Sequence, residues 1–128
     1  MERIKVKTGA PWEDKVGYCR AVRVGNTIEV SGTVSLLDGE IYGPGDPYLQ
    51  TKRILEIISE AIKNAGGDIS DVVRTRMYIT DQSHWQEVGK AHGEVFSDIK
   101  PATSMIVIKA LISPEYLVEI EATAIVCT

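Results

Sequence analysis

The chain has 128 residues, of which 44% are hydrophobic and 25% charged, and it carries a net charge of −4 at pH 7. This composition predicts one folded domain over residues 1–128 and excludes disordered and fibrous chains. The 14 Lys and Arg residues are scattered along the sequence rather than grouped, so a nucleic-acid partner is not expected.

The first predicted elements are β-strands. A short strand is expected near residues 4–7, followed by two strands at 19–24 and 27–31. The latter two flank the two-residue turn Gly25-Asn26, which is typical of a β-hairpin. A long series of turn-forming residues over 38–47 then predicts a loop with a small hairpin that borders a site.

A helix is predicted to begin at Asp46-Pro47. The Asp side chain can accept a hydrogen bond from a first-turn amide, and Pro needs no N–H at the first helical position. The helix should end at Gly66-Gly67. Its apolar face has helical spacing and consists of Ile54, Ile58, Ala61, Ile62 and Ala65.

The next strand is predicted over Val72 to Ile79. Alternation assigns Val73, Thr75, Met77 and Ile79 to one face, and Val72, Arg74, Arg76 and Tyr78 to the other.

A second helix is predicted to begin at Ser83, because Ser83 and Gln86 match a capping box, and to end before Pro101. Its inner face is expected to comprise Trp85, Val88, His92, Val95 and Phe96.

Two closing strands, about 104–108 and 117–126, complete the order βββαβαββ. This order predicts an α+β fold in which one mixed sheet carries both helices on one face. The last strand offers apolar residues on both sides, so the open sheet face is expected to be apolar and covered by self-association.

Glu119 and Glu121 are two residues apart on the last strand and therefore project from the same face. One hypothesis is that burial raises the pKa of such a carboxylate, which then orients a water or transfers a proton. The alternative is that one or both form structural ion pairs with Arg74, Arg76 or Lys109.

No metal or cofactor is expected. His84 and His92 lie eight positions apart without an acidic third ligand at helical spacing, so His92 is interpreted as a core residue. The sequence also has no GxSxG, P-loop or GxGxxG motif.

The cellular compartment is predicted to be the cytoplasm. The first residues alternate charged and apolar types, and no apolar segment approaches the length of a membrane span. Cys19 and Cys127 are far apart in the sequence and without CxxC spacing, so both are expected to be free thiols.

Several short motifs, in this order and spacing over nearly the whole chain, resemble the YjgF-like or Rid (reactive intermediate deaminase) family. They are Gly17-Tyr18, Val30-Ser31-Gly32, Asn64-Ala65-Gly66-Gly67, residues 71–75, Lys100-Pro101-Ala102-Thr103-Ser104 and residues 118–122.

The resemblance implies a chorismate-mutase-like α+β fold and a homotrimer with small-molecule clefts between subunits. In deaminating members, a glutamate of the last strand positions the water that attacks an imine carbon, so that enamines and imines such as 2-aminoacrylate become 2-keto acids and ammonia. That glutamate corresponds to Glu119. The cleft tyrosine corresponds to Tyr18 and the glycine with a donating backbone to Gly32. Ser31, which precedes that glycine, is also predicted to bind the ligand.

The chain departs from the active members at two positions. Their carboxylate-binding arginine corresponds to Thr103, and a frequent cysteine corresponds to Met105. Both residues are predicted to line the ligand cleft. A threonine hydroxyl cannot replace the bidentate bond of a guanidinium, so the chain resembles an arginine-less branch that would act poorly on amino-acid-derived imines.

Two functions are therefore considered. The first is a cleft protein that hydrolyses imines without a carboxylate, or binds a metabolite, through Glu119. The second is a non-catalytic regulator or chaperone-like trimer. Endoribonuclease activity, attached to some members of the family, is disfavoured by the acidic net charge.

Overall fold

A computed structural model describes residues 2–127 of the chain. The strands of its main sheet are β1 Arg3–Val6, β2 Ala21–Val24, β3 Thr27–Thr33, β6 Val72–Ile79, β7 Ala102–Val107 and β8 Val118–Ile125. They form a six-stranded mixed sheet of the order β1-β2-β3-β8-β6-β7, in which, among the described residues, only β6 and β7 run parallel. A separate two-stranded ribbon pairs β4 (Leu36–Leu37) with β5 (Glu40–Ile41).

The described residues also form three α-helices, namely α1 Pro11–Val16, α2 Pro47–Asn64 and α3 Trp85–Phe96. Helices α2 and α3 pack against each other and, with the sheet, enclose the core. The predicted α+β fold with two helices on one face is confirmed. Helix α1, a single short segment before β2, was not predicted because six residues give too little periodicity.

Helix α2 begins and ends where its sequence predicts. The Asp46 side chain accepts a hydrogen bond of 3.0 Å from the Leu49 N–H, and Pro47 occupies the first turn. After the helix, Gly66 has a φ of 87°, a left-handed conformation that glycine adopts without a steric penalty.

The start of α3 differs from the prediction. Asp81, not Ser83, provides the capping side chain, and it accepts from the Ser83 N–H in a 3₁₀ turn over Gln82–His84. The α-helix proper begins at Trp85, whose side chain is 54% exposed rather than part of the inner face. Val88, His92 and Phe96 are buried as predicted.

The first part of β6 also differs from simple alternation. The register against β8 shifts between Val72 and Arg74, so that Val72 is buried and Val73 is 43% exposed. This β-bulge places two successive residues opposite one partner and reverses the assignment made for Val72 and Val73. From Thr75 onward the predicted faces hold.

The open face of the sheet is more polar than predicted. In β8 the helix-side residues Val118, Ile120, Ala122 and Ala124 are fully buried. The opposite side presents Glu119, Glu121 and Thr123, and the register aligns them with polar partners in β3 and β6. The expectation of an apolar open face was therefore wrong, because the strands next to β8 place charged residues there.

None of the helices in the described part of the chain is long and apolar enough to cross a membrane. Cys19 and Cys127 are free thiols, as predicted.

Candidate functional site

A bulge in β3 lies at the centre of the candidate site. The register of β3 against β8 shifts between Val30 and Thr33, leaving Ser31 and Gly32 in the irregular segment. A Cβ atom at Gly32 would lie 2.9 Å from Cδ of Glu119. Glycine is thus required for the carboxylate to occupy its present place against the β3 backbone.

Tyr18 and Ser31 lie beside this bulge. Ser31 donates a hydrogen bond from Oγ to the carbonyl of Cys19 at 2.7 Å, which joins β3 to the segment that carries Tyr18. Helix α1 ends at Gly17, which has a φ of 90°, and Tyr18 follows with a partly exposed ring. The structure therefore brings the predicted residues Tyr18, Ser31, Gly32 and Glu119 to one end of the sheet.

Arg20 joins this group and was missed by the sequence analysis. Its Nη2 donates to the carbonyl of Gly32 at 2.7 Å, and its guanidinium carbon lies 5.8 Å from the centroid of the Tyr18 ring. Nothing in the sequence distinguishes Arg20 from other strand arginines. Only the strand pairing shows that it meets two of the predicted site residues.

Glu119 is half-buried. Desolvation by burial raises the pKa of its carboxyl group, while the charge of Arg20 lowers this pKa and that of Glu121 raises it. No residue that the structure describes donates a hydrogen bond to this carboxylate or forms an ion pair with it. A buried carboxylate usually accepts hydrogen bonds from protein donors. Because the Glu119 carboxylate has no such donor among the described residues, its oxygens are available to accept a proton or to bind a ligand.

Glu121 has a different environment, although it projects from the same face. Its Oε1 accepts from the hydroxyl of Tyr78 at 3.1 Å and lies 3.6 Å from Nε of Arg76. Burial, followed by this hydrogen bond, raises the pKa of Tyr78. The ion-pair alternative considered for the two glutamates thus applies to Glu121 and not to Glu119.

Thr103 and Met105 project from the other face of the sheet. Thr103 pairs with Thr75 of β6, and their Oγ1 atoms lie 2.6 Å apart. Thr75 is buried and also lies 2.9 Å from Nε2 of His92 in α3. The register continues with Met105 beside the buried Met77, so both β7 residues face the helix layer.

The Thr103, Thr75 and His92 side chains form a continuous hydrogen-bonded row from the exposed edge strand into the core. Burial lowers the pKa of His92, which favours a neutral ring. The row provides a hydrogen-bond partner for the buried His92, in agreement with the core role predicted for this residue. Glu119 lies on the opposite sheet face, so one protomer does not bring Thr103 to Glu119.

Two of the three cations considered as replacements for the missing arginine already contact other side chains. Arg74 donates to Ser104 Oγ at 2.7 Å, and Arg76 pairs with Glu121. Lys109 is exposed beyond the end of β7.

A concavity of about 680 Å³ covers the open sheet face next to the site. Its lining includes Tyr18, Ser31, Arg76 and Glu121, together with residues of β1, β2 and α1. Among residues 2–127, no group of three or more His, Cys, Asp or Glu side chains is placed to hold a metal ion.

Comparisons with known proteins identify similar chains of nearly the same length. A family model described as "Endoribonuclease L-PSP" matches residues 10–126. SCO2049, an uncharacterized protein of Streptomyces coelicolor, is 38% identical over 120 residues, which cover 94% of this chain and 90% of that one. The 3-aminoacrylate deaminase RutC of Acinetobacter baylyi is 29% identical over 108 residues, covering 84% of this chain and 85% of RutC.

Solved structures are also similar to this chain, in sequence and in fold. Rv2704 of Mycobacterium tuberculosis, described as a member of the YjgF/YER057c/UK114 family, is 46% identical with a TM-score of 0.89. The match covers 98% of this chain and 100% of Rv2704.

Proposed function

The chain belongs to the YjgF/Rid family, whose model is described as endoribonuclease L-PSP, and from this premise we propose that it hydrolyses small enamines or imines to carbonyl compounds and ammonia. One observation carries the proposal. The half-buried Glu119 carboxylate lies against the Gly32 backbone without a protein donor, beside Tyr18 and Arg20.

The proposed reaction needs one proton acceptor. A water attacks the carbon of the C=N bond while Glu119 accepts a proton from that water. The same carboxyl group then returns the proton to the nitrogen, which gives a carbinolamine with an OH and an NH2 group on one carbon. In the second half, Glu119 accepts the proton of that hydroxyl and transfers it to the nitrogen, the C–N bond breaks, and ammonia leaves as the carbonyl forms. Burial supports this role, since a pKa raised toward neutrality makes a carboxylate a better base and its protonated form a usable acid.

The similarity to RutC supports an enamine or imine as the substrate, because 3-aminoacrylate is an enamine. It does not determine the rest of the substrate, and RutC acts on a molecule with a carboxylate. Thr103 offers a neutral hydroxyl that is already bonded to Thr75. We therefore propose substrates without a carboxylate for this chain.

We further propose that the working form is a homotrimer with the ligand cleft between subunits. Glu119 and Thr103 project from opposite sheet faces, so the site predicted from the family resemblance requires residues from two copies. Among the described residues, β7 pairs with β6 on one side only and is an edge strand of the sheet. It exposes Ile106 by 44% and Val107 by 52%, which offers apolar surface for such contacts.

The trimer prediction is tested by mass. Light scattering at micromolar concentration should give about 42 kDa, three times the 14.1 kDa of one chain. A mass of 14.1 kDa at that concentration would contradict the proposal.

The hydrolysis prediction is tested by ammonia release from imines generated in the assay by an amine-oxidising enzyme. We expect the protein to accelerate release from imines without a carboxylate and to act poorly on amino-acid-derived ones. Absence of acceleration on both classes, with a trimer of correct mass, would favour the non-catalytic alternative.

A further inference from the structure

Arg20 is held rigidly at the start of the hairpin. Its backbone N–H donates to the Val6 carbonyl at 2.8 Å, and its carbonyl accepts from the Ser31 N–H at 3.0 Å. The chain is therefore fixed to both neighbouring segments at this residue. From this anchor the side chain reaches the Gly32 carbonyl and the Tyr18 ring.

The guanidinium is close to Glu119 without forming an ion pair. Arg20 bonds to Gly32, and Gly32 in turn abuts the Glu119 carboxyl group. None of the ion pairs formed by described residues, each within 4.0 Å, includes Arg20 or Glu119. The Nε–H of Arg20 is buried and finds no acceptor in the described part of the chain, so this donor remains unused.

We infer that Arg20 is a positioning residue for Glu119: its cation favours the ionised carboxylate, and its hydrogen bond fixes the Gly32 backbone against which that carboxylate lies. The effect of Arg20 on the ionisation of Glu119 does not depend on the proposed function. Its effect on the reaction rate rests on that function. A direct ion pair would occupy the carboxylate oxygens, whereas a nearby cation stabilises the charge and leaves them available to water and substrate.

The other groups around Glu119 do not supply this cation. Glu121 opposes ionisation by like-charge repulsion, and Tyr78, opposite Glu119 in β6, is neutral at pH 7. Arg76 is paired with Glu121. Arg20 is thus the cation that acts against the burial of Glu119.

The test follows the Glu119 carboxyl carbon by ¹³C NMR through a pH titration, with the resonance assigned by its loss in Glu119→Gln. Arg20→Gln should raise the titration midpoint by roughly one pH unit, the low end of what an opposite charge produces. Arg20→Lys keeps the charge and should stay near wild type. Arg23→Gln is the matched control, because Arg23 bonds to the carbonyls of Gly25 and Ala65, away from Glu119.

Activity gives a second readout. Glu119 acts as a base only when ionised, so the rate falls as pH decreases through its pKa. In Arg20→Gln this acidic limb should move to higher pH, with up to about tenfold less kcat on the limb and a smaller change at high pH. Arg20→Met, which retains the aliphatic stem, replaces Arg20→Gln if the latter does not fold.

An unchanged titration midpoint in the neutral variants would overturn the inference, as would an equal loss of kcat at every pH with the limb in place. If the midpoint shifts in Arg20→Gln but the wild-type protein hydrolyses no imine, the inference stands and the proposed function does not.

Discussion

Glu119→Gln is expected to lower the rate of the proposed imine hydrolysis by about 100-fold or more while leaving the proposed trimer intact. The amide preserves the shape of the side chain beside Gly32 but accepts no proton at neutral pH, and general acid–base catalysis contributes roughly 10²–10⁴-fold. The measurement is kcat for ammonia release, with light scattering on the same sample. An unchanged kcat would show that Glu119 has no catalytic role.

The same substitution should stabilise the protein at pH 7. The folded-state pKa of Glu119 is raised by burial, so the folded state binds the proton more tightly than the unfolded chain. Stability from this group is therefore present below the unfolded pKa and is lost as pH rises through the folded pKa. Removing the charge should therefore raise the unfolding free energy and the Tm at pH 7, which thermal unfolding of the variant and the wild type measures.

Glu121→Gln is the matched control. Glu121 bonds to Tyr78 and lies near Arg76, so the neutral amide weakens this pair and should lower stability slightly without abolishing activity. Opposite effects of the two substitutions on stability would separate the catalytic from the structural carboxylate. If the two substitutions changed stability equally and changed activity equally, this division between the two carboxylates would be contradicted.

The fold could be predicted largely from local patterns. Asp46-Pro47 and the apolar spacing after it specify α2 without reference to the rest of the chain, and Gly25-Asn26 specifies the hairpin. The errors arose where tertiary structure overrides local pattern. A bulge reverses Val72 and Val73, and the α3 cap moves from Ser83 to Asp81.

The site was harder to predict because its residues acquire their properties from other strands. Glu119 and Glu121 are equivalent by alternation, and only the position of Arg76 and Tyr78 in β6 separates a paired carboxylate from a free one. Arg20 was missed for the same reason. Its proximity to Gly32 depends on a bulge in β3 that no spacing in the sequence indicates.

Thr103→Arg is expected to give the protein keto-acid formation from 2-aminoacrylate, on which the wild type should fail. A charge-assisted bond to a carboxylate contributes roughly 1.5–3 kcal/mol, or about ten- to a hundred-fold in affinity or rate. Thr103 is exposed, and its loss leaves the Thr75–His92 hydrogen bond in place, so the variant should fold.

The assay couples a dehydratase that forms the enamine to a keto-acid dehydrogenase. Thr103→Val removes the hydroxyl without adding a cation and should remain inactive, and Thr103→Arg with Glu119→Ala should lose any gain. No gain in Thr103→Arg would mean that the cleft has diverged beyond this residue. Rapid wild-type deamination would mean that another cation binds the carboxylate. Arg20 and Lys109 would then be the candidates, because neither has an ion-pair partner in the described part of the chain. Arg74 and Arg76 already contact the side chains of Ser104 and Glu121.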